Sequence, residues 1–207
     1  MQGIDILFAV VVLIMSVVIH EVSHGFTANL LGDPTAKYAG RLTLNPIKHL
    51  DPMGSVIFPL LLVVFHSPVI FGWAKPVPYN PYNLRNQKWG AGLVAVSGPL
   101  SNFLIAIFFG LLIRFSSSLS FLPFSFFDIS SLIVVINLVL GVFNLVPIPP
   151  LDGSKVLFSF LPYNWHKVEI FMERYGIFAL LVFIFFFLEF LFPIVEFLFR
   201  IITGMNF

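Results

Sequence analysis

Long apolar runs, separated by short polar or proline-rich and glycine-rich stretches, set the order of elements along this chain. Residues 4–31 form the first run. Gly32-Asp33-Pro34 ends it, since glycine supplies the turn after a helix and proline cannot continue one. Residues 40–46 alternate polar and apolar side chains around Thr43, which predicts a short strand, with an irregular loop as the alternative. Residues 53–73 are uncharged and long enough to cross a bilayer, yet Pro59 and Pro68 remove backbone donors and bend or break a helix there. Residues 72–86 are rich in Pro, Asn and Tyr and read as an extended loop or hairpin at headgroup depth. Clear spans follow at 90–113 and 129–146, around a Ser- and Phe-rich turn at 116–127. The second of them runs into Pro147-Ile148-Pro149-Pro150-Leu151-Asp152-Gly153. After a more polar stretch at 154–174, a phenylalanine-heavy span begins at Tyr175, with a break expected at Pro193.

Composition removes the soluble alternative. Of 207 residues, 58% are hydrophobic and 10% charged, too apolar for an ordinary soluble domain. Residues 1–207 are expected to form a single integral-membrane domain without internal repeats. Residues 6–19 lack the basic flank and small-residue cleavage site of a secretory leader, so they read as a retained helix. Net charge is +1 and the Lys and Arg residues are scattered singly, which leaves no nucleic-acid footprint. With no cysteine, any bound metal must use His and carboxylate ligands.

Charge placement decides the path of residues 53–73. If that segment crosses fully, the eleven basic residues divide almost evenly between the two faces. If it enters and leaves on one side, nine share a face, with only Arg114 and Arg200 opposite, as the positive-inside rule requires of a cytoplasmic face. The expected fold is therefore an all-α polytopic membrane protein with about four transmembrane helices, a re-entrant hydrophobic segment and a short β hairpin or loop.

His20-Glu21-Val22-Ser23-His24 lies inside the first apolar run. Positions i and i+4 share a helix face, so both imidazoles can converge on one metal, with Glu21 beside them as general base toward an attacking water. Burying these groups in hydrocarbon costs several kcal/mol unless a partner compensates them. The blander reading is a polar helix interface without metal. A catalytic zinc site uses three protein ligands. The membrane-depth candidates for the third are Asp152, His66 and Glu189, of which Asp152 is best placed: the one-sided path brings the ends of spans 4–31 and 129–146 to the same face.

HEVSH at 20–24 and NLVPIPPLDG at 144–153, with Ser97-Gly98-Pro99-Leu100-Ser101-Asn102 between them, resemble the site-2 protease family of intramembrane zinc metalloproteases. Gly32-Asp33-Pro34-Thr35-Ala36 and residues 40–46 resemble its compact branch, which lacks an inserted PDZ domain. The resemblance implies Zn2+ bound by His20, His24 and Asp152, with Glu21 activating water. Asn144, and less directly Asn102, would hydrogen-bond substrate or the oxyanion; polar contact between helices is the plainer reading for both. It also implies cleavage of a transmembrane protein substrate, as in regulated intramembrane proteolysis, with the active site toward the cytoplasm of the plasma (inner) membrane and membrane lipids around the chain. Two other functions compete. A metal transporter would need polar residues along a path through the bilayer, and the spans are nearly bare of them beyond this cluster. An inactive scaffold would have no use for Glu21. His and carboxylate ligands also suit iron and cobalt.

Overall fold

The computed structural model describes residues 3–65, 74–115 and 123–205. The helices are α1 (Gly3–Leu30), α2 (Thr35–Tyr38), α3 (Phe58–Val64), α4 (Gln87–Arg114), α5 (Phe124–Asn144), α6 (Asp152–Phe160), α7 (His166–Phe187) and α8 (Leu191–Thr203). Four stretches are long and apolar enough to cross a membrane: Ile6–Leu30, Gln87–Arg114, Ser125–Asn144 and His166–Thr203. The last comprises α7 and α8, joined by the 3-10 turn Leu188–Phe190. The helix break thus falls just before the position expected from Pro193, which is tolerated near the start of α8.

α4 is the centre, packing against α1, α5, α6 and α8. The buried positions follow membrane logic. Outward-facing phenylalanines such as Phe185 and Phe186 are exposed, whereas Ser16, Asn102, Asn137 and Ser130 are buried between helices. Lipid tails drive no apolar collapse between helices, so small and polar residues occupy the contacts and large apolar ones face outward. This is an integral membrane protein. One half of the interior is nevertheless oily: Ala106, Ile113, Val134, Leu138, Val195 and Phe199 form a cluster where α4, α5 and α8 meet. At that end the Arg114 guanidinium donates to the carbonyl of Ile201, holding the ends of α4 and α8 together.

The segment between α1 and α4 is organised by two polar hubs. Gly32, at φ 109°, turns the chain in the left-handed region that glycine favours. The buried Asp33 carboxylate then accepts from the Thr35 N–H and hydroxyl, the Asn83 amide at 2.8 Å and the Asn80 N–H at 2.6 Å. Burial alone would push its carboxyl up, but these four donors outweigh that effect and hold it below the usual carboxylate range. Arg41 is the second hub, donating to the carbonyls of Lys48, Lys75 and Pro76.

No strand forms at residues 40–46, nor anywhere among the described residues, which corrects the expectation of a short strand there. The backbone has other partners: the Thr43 carbonyl accepts from the His49 ring at 2.8 Å, and Asn45 caps the 3-10 helix Pro46–His49. The nearby extended stretch at 74–80 contains Pro76 and Pro78, which have no N–H to offer a ladder.

Residues 53–73 are described as far as Phe65, as the π-helical turn Pro52–Ile57 followed by α3; Pro68 and His66 lie outside the described residues. The two ends of the segment are joined, because the Lys75 N–H donates to the His49 carbonyl at 2.9 Å and Arg41 bonds carbonyls on both sides of the neck. The chain therefore enters and leaves this hydrophobic excursion at one level.

Candidate metal centre

The three candidate ligands come from two helices, α1 and α6. On α1, His20 and His24 are one helical turn apart, and their rings meet edge to face with centroids 4.7 Å apart. Asp152, in the first turn of α6, places Oδ2 at 3.0 Å from His20 Nε2 and 3.2 Å from His24 Nε2. The first turn of a helix is where a carboxylate is favoured by unpaired backbone N–H groups. Burial would raise the Asp152 carboxyl, but the two imidazoles facing it, through hydrogen bonds and charge, hold it below the usual carboxylate range. Glu189 lies in the turn between α7 and α8 and does not join this group.

Both imidazoles are oriented from behind. The His24 Nδ1–H donates to the Val94 carbonyl at 2.7 Å. A carbonyl can only accept, so Nδ1 carries a proton and Nε2 is the nitrogen turned toward Asp152. His20 Nδ1 pairs with the Asn102 side-chain oxygen at 2.7 Å. Asn102 is fully buried, with its amide nitrogen 2.9 Å from Asn137 Oδ1. Its polar atoms therefore face a histidine and a neighbouring helix.

The donor set fits a metal ion. The three ligand atoms lie within 4.8 Å of one another, and separations of 3.0 and 3.2 Å are a few tenths of an ångström shorter than the roughly 3.3–3.6 Å between ligands on tetrahedral bonds of about 2.0–2.2 Å, so a small outward shift admits an ion. Gly98 gives a further test. A Cβ on this residue would lie 2.5 Å from His24 Nε2 and 2.6 Å from His20 Nε2, so the glycine leaves open the space both nitrogens face. Gly153 plays a supporting part: a Cβ there would run into the Leu145 carbonyl, so α6 can approach the end of α5 only with glycine after Asp152.

A cavity of about 160 Å³ opens beside the cluster, lined by His20, Glu21, His24, Pro76, Val77, Tyr79, Val94, Ala95, Asn144, Pro150, Asp152 and Lys155. Glu21 Oε2 accepts the Val77 N–H at 2.8 Å, anchoring the extended 74–80 stretch over the site. Asn144 donates one amide hydrogen to the Leu140 carbonyl at 2.9 Å, and its second is available to the cavity it lines. Pro99, inside α4, supplies no N–H to the Ala95 carbonyl on the cavity wall.

Sequence reasoning passed over Val77, Asn137, Ser16 and the spatial role of Gly98. Some signal existed for three of them. Ser16 is four residues before His20, Asn137 seven before Asn144, and Gly98 four before Asn102, so each shares a helix face with a residue already singled out. Val77 carried none, since it acts through its backbone.

The fold and site thus define a membrane-embedded protein with a buried His-His-Asp cluster beside a glutamate-lined cavity. Residues 121–188 match the model of peptidase family M50. The chain is 39% identical over 183 residues to a protein of Bacillus subtilis named "Putative zinc metalloprotease YwhC", covering 84% of this chain and 78% of the relative. Over 180 residues it is 28% identical to "Putative zinc metalloprotease Rip2" of Mycolicibacterium smegmatis, covering 83% and 64% respectively. Over 128 residues it is 34% identical to "Putative zinc metalloprotease MJ0611" of Methanocaldococcus jannaschii, covering 61% and 62%. No solved structure matches. The chain belongs to peptidase family M50.

Proposed function

We propose that this protein is an intramembrane zinc endopeptidase that hydrolyses peptide bonds within or near transmembrane segments of other membrane proteins. The observation that carries the reading is the convergence of His20, His24 and Asp152 beside Glu21 in a cavity at the end of a membrane span. His20, His24 and Asp152 would hold the zinc, which supplies an acidified water and polarises the scissile carbonyl.

The rest of the chemistry belongs to the chain's own residues. Glu21, with one carboxylate oxygen engaged by Val77, takes the proton of the attacking water through its remaining acceptor capacity and later delivers it to the leaving amine. Asn144 offers its second amide hydrogen to the carbonyl oxygen as negative charge develops there. Asp152 stays ionised, as a metal ligand must. A transmembrane substrate has its own hydrogen bonds shielding the scissile carbonyl, so it has to unwind before reaching a cavity of this size.

Joining the two ends of residues 53–73 puts nine basic residues on the face where the site opens, which supports a cytoplasmic active site in the plasma (inner) membrane. Transport is disfavoured by the apolar cluster between α4, α5 and α8, which blocks a polar route through the helices. The test compares wild type and Glu21→Gln purified in detergent, with bound zinc measured per chain and cleavage assayed on model transmembrane substrates. One zinc per chain in both, with cleavage by the wild type alone, is the expected result. A wild type without zinc refutes the reading.

A further inference from the structure

Behind the metal centre, a buried line of hydrogen bonds runs from His20 across α4 to α5. Asn102 Nδ2 donates to Asn137 Oδ1 at 2.9 Å, and Asn137 Nδ2 donates to both the Ile133 carbonyl and the Ser16 hydroxyl, each at 2.9 Å. Asn102 and Asn137 have no exposed surface and Ser16 has 4%. Each link is in a span, where no water competes for it.

The line has a direction, and Ile133 sets it. Its carbonyl can only accept, so Asn137 must turn its amide nitrogen that way and its oxygen toward Asn102. Asn102 must then answer with its nitrogen, an orientation reinforced by the Ser16 carbonyl at 3.5 Å. That leaves the Asn102 oxygen for His20 Nδ1, which must carry a proton, so Nε2, the atom 3.0 Å from Asp152, is the nitrogen left to bind a metal ion.

We infer that Asn137 is a positioning residue for the metal site: by fixing the orientation of the Asn102 amide, it holds His20 in the tautomer that can bind a metal ion through Nε2. The inference rests on the zinc-site reading above. Without Asn137, the Asn102 amide is free to turn over and offer a donor to His20 Nδ1. That favours the Nε2–H tautomer, which has no lone pair for the metal. Partners behind a ligating histidine typically carry about 10–100-fold in metal affinity.

The experiment measures the zinc Kd of wild type, Asn137→Leu and Ser130→Ala by competition with a chromophoric chelator. Ser130 is also buried in α5, but its hydroxyl donates to the Phe126 carbonyl of its own helix, so it reports generic loss of a buried polar group. The expected result is weakening of about tenfold or more in Asn137→Leu and none in Ser130→Ala. A Kd for Asn137→Leu within about twofold of wild type, even with lowered thermal stability, overturns the inference. Absence of zinc from wild type overturns the zinc reading itself. Nitrogen-15 NMR of histidine-labelled, zinc-free wild type decides the matter if Asn137→Leu does not fold: His20 should be protonated at Nδ1, and a ring protonated at Nε2 alone refutes the inference.

Discussion

Gly98 stands so close to His24 that a Cβ placed on it would lie 2.5 Å from Nε2, nearly the length of a metal bond. The absence of a side chain on α4 is therefore as much a part of the centre as the imidazoles on α1.

Gly98→Ala should empty the site while leaving the helices intact. The added methyl would press on both Nε2 atoms, so bound zinc is expected to fall to about a tenth of wild type or less. Elemental analysis alongside far-UV circular dichroism checks this; full zinc occupancy in a folded variant would contradict the geometry.

Asn144 should matter to rate and not to metal. Asn144→Ala is expected to lower kcat by about 10²–10³-fold, the usual loss for one oxyanion donor, with zinc stoichiometry unchanged. Kinetics on a model transmembrane substrate, paired with metal analysis, would show whether the two properties separate.

Arg41 gathers three carbonyls at the neck of the hydrophobic excursion, and hydrogen bonds to a charged group are worth about 1.5–3 kcal/mol each. Arg41→Ala should speed hydrogen exchange of the Lys75 N–H at least about tenfold while α4 and α5 keep their protection. Unchanged exchange at Lys75 would mean that the neck is held by other contacts.

Asp33 supplies a pH dependence with a defined sign. Its folded-state carboxyl lies below the usual range, so its stabilising contribution is present above about pH 4 and is lost as pH falls through the depressed folded value. Wild type should lose thermal stability on acidification below pH 4. Asn at this position should be less stable at neutral pH and flatter in that acid window, as melting curves across pH would record.

Much of this architecture was legible because hydrocarbon allows few solutions. Four long apolar runs became four potential spans, with boundaries shifted by a few residues. Residues 124–127, read as part of a turn, are already helical in α5. No strand forms at 40–46 because alternation of polar and apolar residues also suits a loop, here one whose buried Arg41 bonds carbonyls of the flanking segments. Within the site, HEVSH announces its own geometry, since an i,i+4 pair on a helix has one possible relation. Asp152 came into view through proline punctuation and topology. The relay through Asn137 could not be read that way, because the partners of a lone polar residue in a span depend on helix rotation, which the sequence does not state. Gly98 was visible as a motif residue, but its closeness to two rings exists only after α1 and α4 pack.

The central position of α4 also bears on how the chain is made. Ser16, His20 and His24 belong to a helix synthesised before α4, while the groups that satisfy the two histidines, Asn102 and the Val94 carbonyl, belong to a helix that begins at Gln87. Until that helix leaves the ribosome, the nascent α1 carries imidazoles and a carboxylate that lipid alone solvates poorly. The protein partners that satisfy these groups therefore become available only once α4 has been made.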